Sequence, residues 1–296
     1  MKIKILYENK DILVIDKPSG ISVHADGRSK PARNASSIAG AGGEETISDW
    51  FIKKYPKAKN VGESIFVDNK ASSVGGLPSG VALRASQPGE IKKPGIVHRL
   101  DRETSGVLLL AKNQKAFEFL KSQFKNREIK KTYNALVSGF VKNDRAVINK
   151  PIGRSPVDFR RRLAGRGARG ELREAITEYK VLKRFICPSL HPSQREGKKL
   201  LSPSLRGGLG GAKFTFLEIK PKTGRTHQIR VHMKYSNYPV ICDSLYNPKG
   251  FCPKELGRLA LHARYIEFKD LKGKIIKTES ELPKDIEKII LKLQKN

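Results

Sequence analysis

The chain has 296 residues, enough to bury a sizeable core, and its 59 Lys and Arg outnumber 29 Asp and Glu to give a formal charge of +30. Charge of that size opposes compaction and points to a polyanion such as nucleic acid, whose condensed counterions are released on contact. Three cysteines (Cys187, Cys242, Cys252) are too few and too scattered for a disulfide framework or a paired zinc motif, charges near Met1 exclude a secretory leader, and no window nears the ~20 apolar residues of a membrane span, so a cytoplasmic protein is expected.

The first elements are two short strands, Ile3 to Tyr7 and Ile12 to Asp16, parted by the turn Glu8-Asn9-Lys10-Asp11. Proline and glycine in Asp16-Lys17-Pro18-Ser19-Gly20 stop the second strand in a rigid turn. Composition then shifts to Gly, Ala, Ser and Arg, and residues 27–45 read as an insertion. Thr46 to Tyr55 resembles a short amphipathic helix. Residues 60–90 are again rich in Gly, Ser and Pro and are expected to be irregular.

Gly106 to Ala111 is a continuous apolar run of strand length, the strongest core signal in the chain. Asn113 can cap a helix that carries Ala116, Phe117, Leu120 and Phe124 on one stripe. Lys131 to Phe140 and Ala175 to Phe185 alternate as strands do. Between them Arg154, Arg160, Arg161, Arg162, Arg166, Arg169 and Arg173 lie among glycines, a poor core and a good phosphate-binding loop. Residues 187–213 read as a surface insertion, followed by a strand, Phe214 to Lys220. After the tight turn Lys222-Thr223-Gly224-Arg225 come a helix, Thr226 to Tyr235, and a strand, Leu259 to Lys269. Ile286, Ile289, Ile290 and Leu293 mark a closing helix over 283–293. Strands and helices without regular βαβ alternation predict one α+β domain over 1–296, built on a central mixed, largely antiparallel sheet.

Two polar clusters stand out. His98-Arg99-Leu100-Asp101-Arg102-Glu103 puts five ionisable side chains in six positions beside the buried run. Charges near apolar surroundings need partners, and places that tolerate them are often functional. The alternative is a polar turn in which Asp101 caps a short helix. The second cluster is Lys222 to His232, where Gly224 permits the turn and Thr226 can cap a helix whose free N–H groups favour an anion. Thr226 and Arg230 would share a face. His227 and His232 are five apart, which does not match the i, i+4 spacing of a helical metal pair. Each histidine is therefore expected to be a structural or phosphate-contacting group.

Taken in order, these clusters resemble the RluA family of pseudouridine synthases. The family's His-Arg-Leu-Asp motif, running into Thr-Ser-Gly and an aliphatic strand, is matched by His98 to Leu110. Its Lys-x-Tyr is matched by Lys131-Thr132-Tyr133, and its Thr-Gly-Arg-Thr-His-Gln-Ile-Arg-Val-His by Thr223 to His232. Asp16 to Gly20 and Leu261-His262-Ala263 belong to the same pattern.

The resemblance implies the pseudouridine synthase fold, with Asp101 as nucleophile, Tyr133 against the uracil ring and Arg230 paired with Asp101. A nearby guanidinium would keep a partly buried carboxylate ionised. Expected RNA contacts are Arg99, His98 and Arg102 from the first cluster and Thr223, Arg225, His227 and Gln228 from the second. Arg160 and Arg161 join them from the arginine-rich stretch. The implied reaction is an isomerisation, which transfers no electrons or phosphoryl groups and calls for neither cofactor nor metal.

The partner implied is structured RNA, large-subunit ribosomal RNA first and transfer RNA second, bound by a monomer. The chain begins almost directly at the catalytic motifs, so the S4-type RNA-binding module of many relatives is expected to be absent. An inactive RNA-binding or ribosome-assembly protein on the same fold is the alternative, opposed by the intact Asp101, Tyr133 and Arg230.

Overall fold

A computed structural model describes residues 1–24, 45–66, 90–187 and 212–295. The insertions expected near 27–45, 60–90 and 187–213 fall largely outside the described residues.

Strands β1 (Lys4–Glu8) and β2 (Ile12–Lys17) pair antiparallel. Asn9 makes the turn between them, its side-chain oxygen accepting the amides of Asp11 and Ile12. Helix α1 (Ile47–Lys54) opens on a capping box in which Thr46 and Asp49 satisfy each other's backbone amides. A 3₁₀ turn over Pro56–Asn60 follows. Strands β3 (Ser64–Phe66) and β4 (Glu90–Lys92) pair, so both ends of the stretch expected to be irregular are extended.

Every residue of β5 (Ser105–Ala111) is buried, as its apolar run predicts. Asn113 caps α2 (Gln114–Lys125), which buries Ala116, Phe117 and Leu120. Then come β6 (Lys130–Ser138), β7 (Arg145–Asn149), β8 (Ile152–Arg154), β9 (Arg162–Ala164), β10 (Arg169–Arg173) and β11 (Ile176–Cys187). They are followed by β12 (Ala212–Pro221), α3 (Gln228–Tyr235), β13 (Leu261–Lys269), β14 (Ile275–Glu279) and α4 (Lys284–Lys295).

Nine strands form one sheet in the order β1-β2-β5-β13-β6-β12-β11-β7, with β14 beside β13. Its ladders are antiparallel except β5 with β13, which makes it the mixed, largely antiparallel sheet that was expected. At that parallel pairing Gly106 lies opposite Ala263 with φ +110°, and a Cβ there would run into the Ala263 carbonyl. The arginine-rich stretch is a correction to the sequence reading. It forms a three-stranded sheet, β10-β8-β9, rather than a loop, because Ile152 and Ala164 bury against Val231 and Tyr246.

Two cores flank the centre of the sheet. One gathers Leu136, Phe214, Leu217 and Met233 with the α4 residues Ile286, Ile289 and Ile290. The other gathers β2, β5, Phe51 and Leu120. Burial of each large aliphatic side chain contributes roughly 1.5–3 kcal/mol, which docks α4 by one apolar stripe. Tyr133 on β6 packs against both cores.

The cysteine reading also needs correcting. Cys242 and Cys252 form a disulfide with Cα atoms 4.6 Å apart, while Cys187 is free and buried. A positive φ of 56° at Cys242 belongs to the tight backbone there, a tertiary feature that cysteine spacing does not carry. The cysteines therefore lend no support to the expectation of a cytoplasmic protein. Among the described residues no helix is long and apolar enough to cross a membrane.

Candidate active site

Asp101 sits just ahead of β5 in a turn closed by the Thr104 amide on the Asp101 carbonyl, 3.1 Å. The early Asp16–Gly20 turn clamps the following backbone. The buried Lys17 ammonium donates to the carbonyls of Pro18, Ile21 and Arg102 at 2.8–3.0 Å. Ser19 donates to the Glu103 carbonyl, and Gly20 donates its amide to Arg102. Burial pushes the Lys17 amine down to about 7, with the charge of Asp101 opposing the shift.

Arg230 reaches the acid from α3. Its Nη1 donates to Asp101 Oδ2 at 3.1 Å, while Nε and Nη2 grip Asp243 at 2.8 and 2.7 Å. Side-chain exposure is 18% for Asp101, 7% for Arg230 and 0% for Asp243. Burial opposes the guanidinium charge, yet the hydrogen bonds to Asp243 and the two carboxylate charges outweigh it and raise the pKa above its ordinary value. Asp243 also accepts the amides of Leu245 and Tyr246, so both of its oxygens are occupied. The Tyr246 ring lies 5.1 Å from the guanidinium carbon.

Asp101 and Arg230 border a cavity of about 520 Å³, lined also by Arg99, Lys131, Tyr133, Arg225 and His227. That volume is within the roughly 300–1,000 Å³ of small-molecule sites. Burial, reinforced by the charge of Asp101, holds the Tyr133 phenol well above its ordinary pKa, so it stands as a neutral O–H. Burial brings the Lys131 amine down to about 8.

The remaining predicted residues separate into distinct places. Arg99 is exposed at the cavity. His98 borders it too, but its Nε2 accepts the Leu109 amide at 2.9 Å and its ring stacks on Phe124. Burial, with Lys131 nearby, drives the His98 pKa to about 3. Arg102 bends back to the Gly20 carbonyl. Thr223 and Gln228 are buried and serve the scaffold. Gln228 Oε1 takes the Arg225 amide and the Thr223 hydroxyl, while Thr223 Oγ1 accepts the Ile176 amide. Arg225 donates to the Glu174 carbonyl. Arg160 and Arg161 pair with Asp158 on the β8–β9 connection and are not among the residues that line the cavity.

Helix α3 starts later than expected. Thr226 caps nothing. His227, in the left-handed region at φ 56°, is the N-cap and offers no side-chain cap. Gln228 closes the turn in its place. His227 lies with Nε2 3.9 Å from Asp101 Oδ1 and with Nδ1 on the Tyr246 hydroxyl. His232 is buried between Thr177 and the Lys150 carbonyl. Among the described residues no group of three or more His, Cys, Asp or Glu is placed to hold a metal. Asp243 and Tyr246 escaped the sequence reading. The available signal was a lone acid after the apolar Val240-Ile241-Cys242, a setting in which a charge needs a partner.

The arrangement is an acid in contact with a shared buried guanidinium, with a neutral phenol lining the same cavity, on a mixed sheet. Residues 11–235 match the family described as RNA pseudouridylate synthase, a span from β2 to the end of α3. The chain belongs to that family. An uncharacterised RNA pseudouridine synthase of Aquifex aeolicus (strain VF5) is 34% identical over 255 residues, covering 86% of this chain and 59% of the relative. One of Bacillus subtilis (strain 168) is 30% identical over 297 residues, covering 100% and 74%.

The ribosomal large subunit pseudouridine synthase D of Borreliella burgdorferi is 30% identical over 288 residues, covering 95% of this chain and 66% of the relative. With relatives named synthase C and D, the branch is the RluA type. The solved structure of human RNA pseudouridylate synthase domain containing 1 aligns at TM-score 0.60 and 19% identity. It covers 100% of this chain and 96% of its own, and it shows the same fold.

Proposed function

We propose that this chain isomerises uridines in structured RNA to pseudouridine, with Asp101 as the nucleophile. Large-subunit ribosomal RNA is the first candidate substrate and transfer RNA the second. The observation that carries the reading is the contact of Asp101 with Arg230 at the wall of the cavity, with Arg230 itself gripped by Asp243. A carboxylate held in place by a fixed cation is oriented for attack and needs no activating base.

The reaction breaks the N1–C1′ bond, turns the uracil and joins C5 to C1′. C5 gives up a hydrogen and N1 gains one, so the product is an isomer. Tyr133, a neutral phenol at the cavity, would flank the ring and can exchange a proton with it. A uridine inside folded RNA must first leave its stack, at a loss of a few kcal/mol. Arg99 at the rim, Lys131 and Arg225 would draw in the phosphates beside it, and Arg160 and Arg161 would hold RNA further out.

The test is chemical mapping of pseudouridine in ribosomal and transfer RNA incubated with wild type, Asp101→Asn and Asp101→Ala. Wild type is expected to modify a defined uridine and both variants none. A variant that still makes pseudouridine ends the nucleophile assignment, and a wild type that binds RNA without modifying it leaves an inactive binder.

A further inference from the structure

Tyr246 is buried behind Arg230. Its hydroxyl has two partners, the Arg162 amide at 2.9 Å and His227 Nδ1 at 2.9 Å. A backbone amide can only donate, so the phenolic oxygen accepts from Arg162. The O–H proton then goes to His227 Nδ1. With the opposite histidine tautomer, two donors would converge on one oxygen and the buried O–H would lack an acceptor. That mismatch shifts the tautomer ratio by about ten- to a hundredfold.

His227 is also held by its backbone. It takes a left-handed φ of 56°, which residues with a Cβ seldom adopt, and this sets its ring edge-on to Tyr246 at 5.7 Å and 84°. Burial keeps the ring below its ordinary pKa in spite of Asp101, so it is neutral near pH 7. A neutral ring with a bare Nδ1 carries its proton on Nε2, the atom 3.9 Å from Asp101 Oδ1. The other oxygen, Oδ2, takes Arg230 at 3.1 Å.

We infer that His227 and Tyr246 are positioning residues for the isomerisation: Tyr246 fixes the Nε2–H tautomer of His227, so that a donor rather than a lone pair faces the free oxygen of Asp101. The distance of 3.9 Å is too long for a hydrogen bond. A shift of about 1 Å in the carboxylate brings the pair within hydrogen-bond distance. The carboxylate is then steered from both sides, by Arg230 on Oδ2 and by His227 on Oδ1. This inference rests on Asp101 being the nucleophile.

Histidine-¹⁵N-labelled full-length protein tests it without substrate, since long-range proton–nitrogen spectra separate a protonated from a bare ring nitrogen. The His227 signals are assigned by their loss in His227→Gln. Wild type is expected to show Nε2 protonated and Nδ1 bare, and Tyr246→Phe to move Nδ1 toward the range of a nitrogen without a hydrogen bond. In turnover, His227→Gln keeps an N–H near the Nε2 position and should retain about tenfold more kcat than His227→Asn, with KM for RNA alike in both.

A wild-type ring protonated on Nδ1 overturns the inference, as does an asparagine variant at least as active as the glutamine one. An unmoved Nδ1 signal in Tyr246→Phe removes the part given to Tyr246. An active Asp101→Ala would instead defeat the nucleophile reading and this inference together, whereas an Nδ1–H spectrum beside an inactive Asp101→Ala defeats this inference alone.

Discussion

Replacing Arg230 with methionine removes one cation and leaves two acids. Asp243 has no side-chain exposure and would be deprived of both guanidinium hydrogen bonds, keeping only the amides of Leu245 and Tyr246 on Oδ1. Its Oδ2 would be buried and bare. Removing one partner of a buried ion pair costs about 3–5 kcal/mol, a large share of the roughly 5–15 kcal/mol that holds a domain folded. Asp101 is partly exposed and adds little through solvent screening.

Urea unfolding of wild type and Arg230→Met reads the loss, with unchanged m-values as the control. A deficit below about 1 kcal/mol would refute the account of Arg230 as the shared counter-ion.

Lys131 titrates at about 8, being charged below and neutral above, so RNA affinity at fixed salt should fall as pH rises through that value and Lys131→Met should flatten the curve. Binding that does not vary with pH would remove Lys131 from the phosphate contacts. Gly106→Ala should lose more than about 3 kcal/mol or fail to fold, because φ is +110° and Ala263 stands in the way; a wild-type melting curve would contradict that. Joint change of Arg154, Arg160 and Arg161 to Gln should lower the slope of log affinity against log salt by about 0.7–0.9 for each phosphate no longer neutralised. An unchanged slope would mean that this small sheet does not touch the RNA.

What could be read from the sequence was local or continuous. The buried β5 shows as six apolar residues in a row, and the start of α2 shows as an asparagine three residues before the amide it caps. The pairing of Asp101 with Arg230, implied by the resemblance, is present at 3.1 Å. Strands β7 and β14 escaped because each is only five residues long, too short for a periodic pattern to stand out.

The start of α3 was misplaced for a different reason. Thr226 has the chemistry of a cap, but Gln228 closes the turn and pushes His227 into the left-handed region. Asp243 and the disulfide depend on how the segment after α3 folds back, which no local pattern records.

Tyr133 touches both apolar cores. Asp101 follows Leu100, which belongs to one core, and Arg230 follows Ile229, which belongs to the other. The contact between acid and base thus acts as a gauge of how the two halves are seated. Warming that loosens either half, well short of melting the sheet, would separate the pair first, and heat inactivation of this chain should run ahead of its loss of secondary structure.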